Sequence, residues 1–316
     1  MTKFLIVDGH NDTILGHRVQ FRKFASESKK GHIDLPRLKK GNVQAMVFAL
    51  CPTRHPIFIK VFTKWWFSTV NNPDNELHHI KKFNDFEAAK KEGKIGAILS
   101  YEGAGGIDKN LDLLRESAEK GLKQLNVTWA NVNKFGTGAK FKGEQIIEGL
   151  TNLGRDLVME AQKLGVTIDV SHLNDPSFWN VIEIADKPVI ASHSNSRAVC
   201  NHPRNLTDDQ IKAIHEKGGT VGINFGRKFL DPEHDKDKKD VPIEIIKRHI
   251  DHIVEVTDIN TVALGADYDG TSVPICVKDC TKYPDLMNFL LENGYSEQDV
   301  QKISHQNLLR AYKDSW

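Results

Sequence analysis

Apolar residues along this chain fall into eight short runs rich in valine, isoleucine and phenylalanine, each stopping at a small or polar residue. They are KFLIVDGH (3–10), VQAMVFALC (43–51), IGAILSYEG (95–103), LKQLNVTW (122–129), VTIDVSH (166–172), PVIASHS (188–194), TVGINF (220–225) and TVALGAD (261–267). Runs of this length and composition predict strands. Several are continuously apolar, the composition of parallel strands covered on both faces. Between most of them the apolar positions switch to helical spacing, in LDLLRESAEKG (111–121), TNLGRDLVMEAQKLG (151–165), DPSFWNVIEIA (175–185) and TDDQIKAIHEKGG (207–219). PIEIIKRHIDHIVEV (242–256) precedes the eighth run and SEQDVQKISHQNLLRAYKD (296–314) follows it. Three of these helices end in glycine just before the next strand, and TDDQ opens one with a threonine cap and early acids.

Alternating strands and helices joined by right-handed crossovers give a parallel sheet, and eight repeats close most simply into an α/β fold, the (β/α)8 TIM-type barrel. The stretch 52–92 exceeds one crossover. It holds the aromatic cluster KVFTKWWF (60–67) and a helix expected near LHHIKKFNDFEAAKKEG (77–93), and is expected as an insertion after strand 2, over the barrel mouth. No low-complexity linker or internal repeat divides the chain, so one domain over 1–316 is expected.

In such a barrel the loops after the strands converge on one point, so chemistry gathers at the carboxyl ends of the strands. Those ends carry His10 and Asp12, Glu102, His172, His193 and Asp267: three histidines and three acids from five strands. In VDGHND, His10 and Asp12 stand two apart on a strand and face the same way, with Gly9 keeping the surroundings open. Each residue alone has a structural alternative. Asp12 could cap a helix, Glu102 could cap a turn, His172 and His193 could bond to backbone, and Asp267, like Asp269, could serve a turn. Together they resist that explanation, because the other histidines, among them His78, His79, His215, His234, His249, His252 and His305, scatter over positions that suit solvent or packing. Histidine nitrogen and carboxylate oxygen suit zinc, and six such groups exceed the three protein ligands of one catalytic zinc. Two metals are therefore expected, with Glu102 the group whose two oxygens could bridge them.

The stretches DGHND, SYEGAGG, GLTNLGRDLVMEAQKLGVTIDVSH, PVIASHSNSRAVCNHPRNLTDDQIKAI, GGTVGINF and GADYDG resemble, in order and over nearly the whole chain, the renal (membrane) dipeptidase family of binuclear zinc peptidases. That family has His-x-Asp after its first strand where most metal amidohydrolases have His-x-His, and a bridging glutamate in place of a carbamylated lysine. The resemblance assigns His10 and Asp12 to one zinc, His172 and His193 to the other, Glu102 to the bridge, Asp267 to acid/base work and Arg204 to the substrate's carboxylate. A guanidinium grips a carboxylate through two parallel bonds, which agrees with that role; the alternative is a surface arginine pairing with Asp208 or Asp209. Two positions depart from the family. Trp129 stands in VTW where some members have a histidine that contacts substrate, and Gly226 follows INF where animal enzymes carry tyrosine. The pocket is thus expected to narrow at Trp129, unless that ring packs beneath Trp65 and Trp66, and to open at Gly226.

The expected function is a zinc-dependent dipeptidase, in which a hydroxide bridging two Zn2+ ions attacks the peptide carbonyl and Asp267 carries the proton to the leaving amine. The alternatives are a related binuclear hydrolase acting on another small amide or β-lactam, and a metal-stabilised binding barrel without turnover. Bulk properties narrow the partners. Lysine and arginine total 43 against 42 acids, a net charge of +1, which argues against a nucleic-acid or anionic-membrane surface. Cys51, Cys200, Cys276 and Cys280 are too scattered for a disulfide framework, and no apolar run approaches the roughly 18 residues of a membrane span. A cytoplasmic enzyme acting on small peptides is expected, with a homodimer suggested by the family analogy.

Overall fold

A computed structural model describes residues 4–140, 143–144, 146–231, 233 and 240–316. Each of the eight apolar runs forms a strand: β1 (Ile6–Asn11), β2 (Val43–Leu50), β4 (Ile95–Glu102), β5 (Leu122–Asn126), β6 (Thr167–Asp169), β7 (Val189–Ala191), β8 (Thr220–Ile223) and β9 (Val262–Leu264). A further short strand, β3 (Leu77–His79), lies between β2 and β4 in the chain. Every pairing is parallel, and β2 pairs with β4 from Ala45–Gly96 to Leu50–Tyr101, which closes the sheet into an eight-stranded (β/α)8 barrel.

The helices form where their caps and periodicity place them. Thr151 accepts from the Gly154 N–H at the start of Asn152–Lys163, and Thr207 and Gln210 make a reciprocal capping box at the start of Asp208–Glu216, each satisfying N–H groups that the first turn leaves unpaired. Gly121, Gly165 and Gly218 all take positive φ immediately before β5, β6 and β8, the conformation that lets a helix stop and the chain turn into the next strand. Apolar side chains fill two regions. The larger lies between barrel and helices; the smaller joins inward-facing Val7, Val47, Ile98, Ile190 and Ala263 to Leu308 and Tyr312 of the last helix, Asn307–Ser315. That helix plugs one end of the barrel, leaving the carboxyl ends of the strands for the site.

The stretch 52–92 holds two helices, Pro56–Val70 and Asp85–Lys91, with β3 between them. Its first residues meet the mouth, where the Thr53 carbonyl accepts from the Gly106 N–H (2.7 Å) and the Thr53 hydroxyl donates to the Glu102 carbonyl (3.0 Å), and farther on Trp65 lies under Arg18 (5.8 Å) of the helix Thr13–Val19 that follows β1. The aromatic cluster belongs to the helix Pro56–Val70, whose buried Ile59, Phe62, Trp66 and Val70 recur on one face and make it the crossover along the barrel's flank. The helix expected near 77–93 forms over Asp85–Lys91; ahead of it Leu77–His79 pairs with Ile95–Ala97, the amino end of β4 and the end away from the mouth. His79 packs there against Trp66 (5.1 Å) and His249 is fully buried, consistent with packing roles; His234 lies outside the described residues.

Candidate metal centre and cleft

β1 delivers His10 and Asp12 to the mouth through a tightly held strand end. Buried Asp8 accepts from the His10 and Ala266 N–H groups (both 3.0 Å) and from the Tyr283 hydroxyl (2.7 Å), tying β1 to the chain after β9. A Cβ at Gly9 would stand 3.1 Å from the Ser192 carbonyl oxygen and 3.2 Å from that of Leu264, so a side chain here would crowd two backbone carbonyls that glycine lets approach. Asn11 is a staple, accepting from the Thr13 N–H at 3.0 Å. Asp12 sits at the start of the helix Thr13–Val19 but makes no side-chain cap; its carboxylate stays with His10, Oδ2 to Nε2 at 3.8 Å.

Glu102, the last residue of β4, connects two groups of donors. Its Oε2 lies 3.8 Å from His10 Nε2, and its Oε1 lies 2.7 Å from His172 Nε2 and 3.7 Å from His193 Nε2. The two Nε2 atoms of His172 and His193 are 2.8 Å apart, and the His10 ring lies against His193, tilted by 30° with centroids 3.7 Å apart. Two sets, His10–Asp12–Glu102 and Glu102–His172–His193, each have ligand atoms close enough to surround one ion, and Glu102 belongs to both. A third grouping would use Asp169 with His10 and His193. Its carboxylate is already engaged by the N–H groups of Ser171 and Ser192 (2.9 Å each), the Ser192 hydroxyl and Gln124 Nε2 (3.2 Å), so it is a support and not a ligand.

The electrostatics fit a cation. Both His10 nitrogens, Asp12 Oδ1 and Glu102 Oε2 are buried without a hydrogen-bond partner, an arrangement that costs free energy unless something charged satisfies it. Burial opposes protonation of His10, yet Glu102 and Asp12 beside it raise its pKa to about 10. Burial and the Glu102 charge raise the Asp12 carboxyl to about 6. His172 and His193 are pushed well below the ordinary imidazole value, by burial first and then by Arg204 and His10, so both offer neutral nitrogen. The residues therefore suit one or more divalent ions of borderline softness.

Asp267 follows β9 with a left-handed φ of 60° and accepts from Asn224 Nδ2 at 3.0 Å. Burial, with the neighbouring Asp12 and Glu102 charges and against the pull of His10, raises its carboxyl to about 7, in the range of a proton-transfer group. Asp269, two residues on, is locked by Arg22 (2.8 Å) and the His32 N–H (2.8 Å) and is not available for that task.

Asp12, Glu102, His172 and Asp267 open onto a cleft of about 1060 Å³, walled also by Trp129 and Phe229. Trp129 is 36% exposed and faces His172 at 6.2 Å, whereas Trp66 packs on Phe48 within the core. Arg204 is no surface residue. It is buried, donates from Nη2 to the His193 carbonyl (3.3 Å), rests over the Phe229 ring (5.6 Å) and leaves Nε without a partner, while Asp208 pairs with His252. The opening expected at Gly226 is absent: a Cβ there would lie 2.7 Å from Phe229 Cδ2, so Phe229 has taken the space. Sequence reasoning missed Phe229, Asn224 and Asp169. The VTIDVSH run held the one available signal, an acid inside an otherwise apolar strand.

The model of the membrane dipeptidase family (peptidase family M19) matches residues 1–315. A Klebsiella pneumoniae protein described as an uncharacterized protein in the pqqA 5' region is 37% identical over 235 residues, covering 73% of this chain and 86% of that one. Among solved structures, a metallopeptidase from Rhodobacter sphaeroides liganded with a phosphinate mimic of the dipeptide L-Ala-D-Ala superposes with a TM-score of 0.91 at 28% identity, covering all of both chains. A second M19 metallopeptidase, dipeptidase AC, gives 0.91 at 30% identity over 100% of this chain and 99% of that one. The chain thus belongs to the membrane dipeptidase family and is a metal-dependent dipeptidase.

Proposed function

We propose that the chain binds two zinc ions, one held by His10 and Asp12 and the other by His172 and His193, with Glu102 shared, and that it hydrolyses dipeptides at this centre. The observation that carries the reading is the single carboxylate common to two ligand sets. Bound metal would activate water and polarise the peptide carbonyl. The chain's own residues do the rest. Arg204 holds the substrate's terminal carboxylate, its partnerless Nε supplying one donor. Asp267, kept protonatable by burial and oriented by Asn224, takes the proton from the attacking water and delivers it to the leaving nitrogen. Trp129 forms the wall beside His172. The phosphinate mimic in the Rhodobacter sphaeroides relative supports a small dipeptide, with a D-residue accepted at its C-terminal side.

The same reading makes 1–316 one domain in the cytoplasm, which its four free cysteines support. No described helix is long and apolar enough to cross a membrane. A homodimer completes the proposal and light scattering checks it. The main test is metal analysis of protein purified without chelator, with hydrolysis of an L,L and L,D dipeptide panel before and after chelation. About two zinc ions and chelator-sensitive cleavage are expected. Metal content that stays at zero after zinc addition would sink the reading.

A further inference from the structure

His193 Nδ1 lies 2.7 Å from the Ser192 hydroxyl, which hydrogen-bonds in turn to Asp169 Oδ2. The proton inventory of this buried chain is fully determined. The Gly9 carbonyl can only accept, so it fixes Gln124 Nε2 on its own side (3.3 Å), facing Asp169 (3.2 Å), and Gln124 Oε1 accepts from the Tyr312 hydroxyl (2.7 Å). Asp169 then receives two backbone N–H groups, one amide N–H and one hydroxyl. Four donors leave it no need of a proton, and it acts purely as acceptor. Ser192 has one hydrogen, which goes to Asp169. Its oxygen can therefore only accept from His193, so the imidazole carries its proton on Nδ1 and presents a bare Nε2 toward His172 and Glu102.

We infer that Asp169 and Ser192 are positioning residues for the metal centre, fixing His193 in the Nδ1–H tautomer and in ring orientation. Metal-bound histidines commonly donate their remote N–H to a carboxylate; here a serine is interposed. The inference rests on the reading of His193 as a ligand. It also explains why β6 and β7, only three residues long, hold their geometry. Asp169 ends β6 and binds the Ser192 N–H just beyond β7, while the Ser171 hydroxyl accepts from the His193 N–H (3.1 Å).

Two variants of the full chain separate this role from plain structural support. In Asp169→Asn the amide oxygen can keep the two backbone N–H groups, which turns the NH2 toward Ser192. The serine proton must then turn to His193 Nδ1 and force the Nε2–H tautomer, which cannot ligate. Ser192→Ala instead removes the acceptor and leaves the tautomer free.

The first readout is the imidazole 15N spectrum of metal-free, histidine-labelled protein, with the His193 signal assigned by its loss in His193→Gln. Wild type should show protonated Nδ1 and Asp169→Asn protonated Nε2. The second is zinc affinity by chelator competition. One of two ions should weaken by roughly 10–100-fold in each variant, more in Asp169→Asn, with the other ion less affected. Wild-type tautomer and wild-type affinity for both ions in the variants would overturn the inference. So would a zinc-loaded crystal with Asp169 coordinated to the ion. If wild type binds no zinc while its His193 still carries the proton on Nδ1, the two-zinc reading fails and the hydrogen-bond relay itself stands.

Discussion

Arg204→Ala should distinguish a dipeptidase that reads a free carboxylate from one that tolerates any small amide. The guanidinium is buried within Coulombic reach of Asp267 and Glu102, spends one donor on the His193 carbonyl and has Nε unpartnered. A substrate carboxylate accepting two of its hydrogens makes two charge-assisted bonds, each worth about 1.5–3 kcal/mol. Losing both should remove at least about 3 kcal/mol, a fall of roughly 150-fold in kcat/KM for free dipeptides. The substitution also empties the space over Phe229 and frees the His193 carbonyl, damage that every substrate shares. The informative quantity is therefore a ratio: kcat/KM for a dipeptide over kcat/KM for its C-terminal amide, in wild type and variant. That ratio should collapse by about two orders of magnitude, with metal content unchanged. Arg204→Lys, which keeps charge but not the planar fork, should fall between. An unchanged ratio would mean that Arg204 only braces His193, and the substrate carboxylate would need another partner.

Asp267→Asn should keep the fold and most of the metal but lose at least about a hundredfold in kcat, the usual contribution of a proton-transfer group; near-normal turnover would remove Asp267 from the reaction, and locked Asp269 could not replace it. Phe229→Ala should raise kcat/KM for dipeptides with bulky C-terminal residues relative to alanine-sized ones, because Phe229 fills the space beside Gly226; an unchanged order of preference would assign Phe229 to packing alone. His249 is buried, accepts from the Ser196 N–H at Nδ1 (3.2 Å) and binds the Leu230 carbonyl through Nε2 (3.1 Å), and burial lowers its pKa from 6.5 to about 4. Its folded pKa is depressed, so its stabilisation is complete above the unfolded value and is lost as pH falls from 6.5 toward 4. Between pH 7 and pH 5 this is about 2 kcal/mol, read as a drop in urea-unfolding free energy that His249→Gln should reduce; an equal drop in the variant would refute the assignment.

Much of this architecture was legible in the sequence because its signals are local. The eight strands announce themselves through apolar runs, and glycines 121, 165 and 218 mark helix ends by a conformation that side-chain-bearing residues resist. Less legible was the content of the 52–92 stretch, whose length beyond a simple crossover is taken up by β3 and the helix Asp85–Lys91. Leu77–His79 owes its strand state to the neighbouring β4 edge, a long-range partner that periodicity cannot reveal. Gly226 illustrates the same limit at the site. A missing side chain reads as an opening only if nothing else fills it, and the filler, Phe229, arrives through the turn of the short helix Arg227–Leu230.

The donor types were readable; the backbone that aims them was not. His172 and Asp267 have φ of 74° and 60°, left-handed values that residues with a Cβ adopt at a cost of about 1–3 kcal/mol each. Aspartate and histidine take this conformation more readily than most residues, but nothing in the sequence marks these two among the rest. The surrounding hydrogen bonds over-determine both. The Ala139 N–H donates to the His172 carbonyl (2.7 Å) while Ser171 is held by Asp169, and the Asp267 N–H donates to the His10 carbonyl (3.2 Å) while Ala266 is held by Asp8. Asp8 and Asp169 thus play equivalent parts on opposite sides of the centre. Each is a buried carboxylate beneath the histidine and carboxylate donors that joins two strand ends and fixes the residue before a strained one. Removing either should disturb both members of its own pair before the other pair. His10, Asp12 and Asp267 on one side and His172 and His193 on the other are thus held as two units, β1 with β9 and β6 with β7, and Glu102 on β4 lies between them, within 3.8 Å of His10 and 2.7 Å of His172.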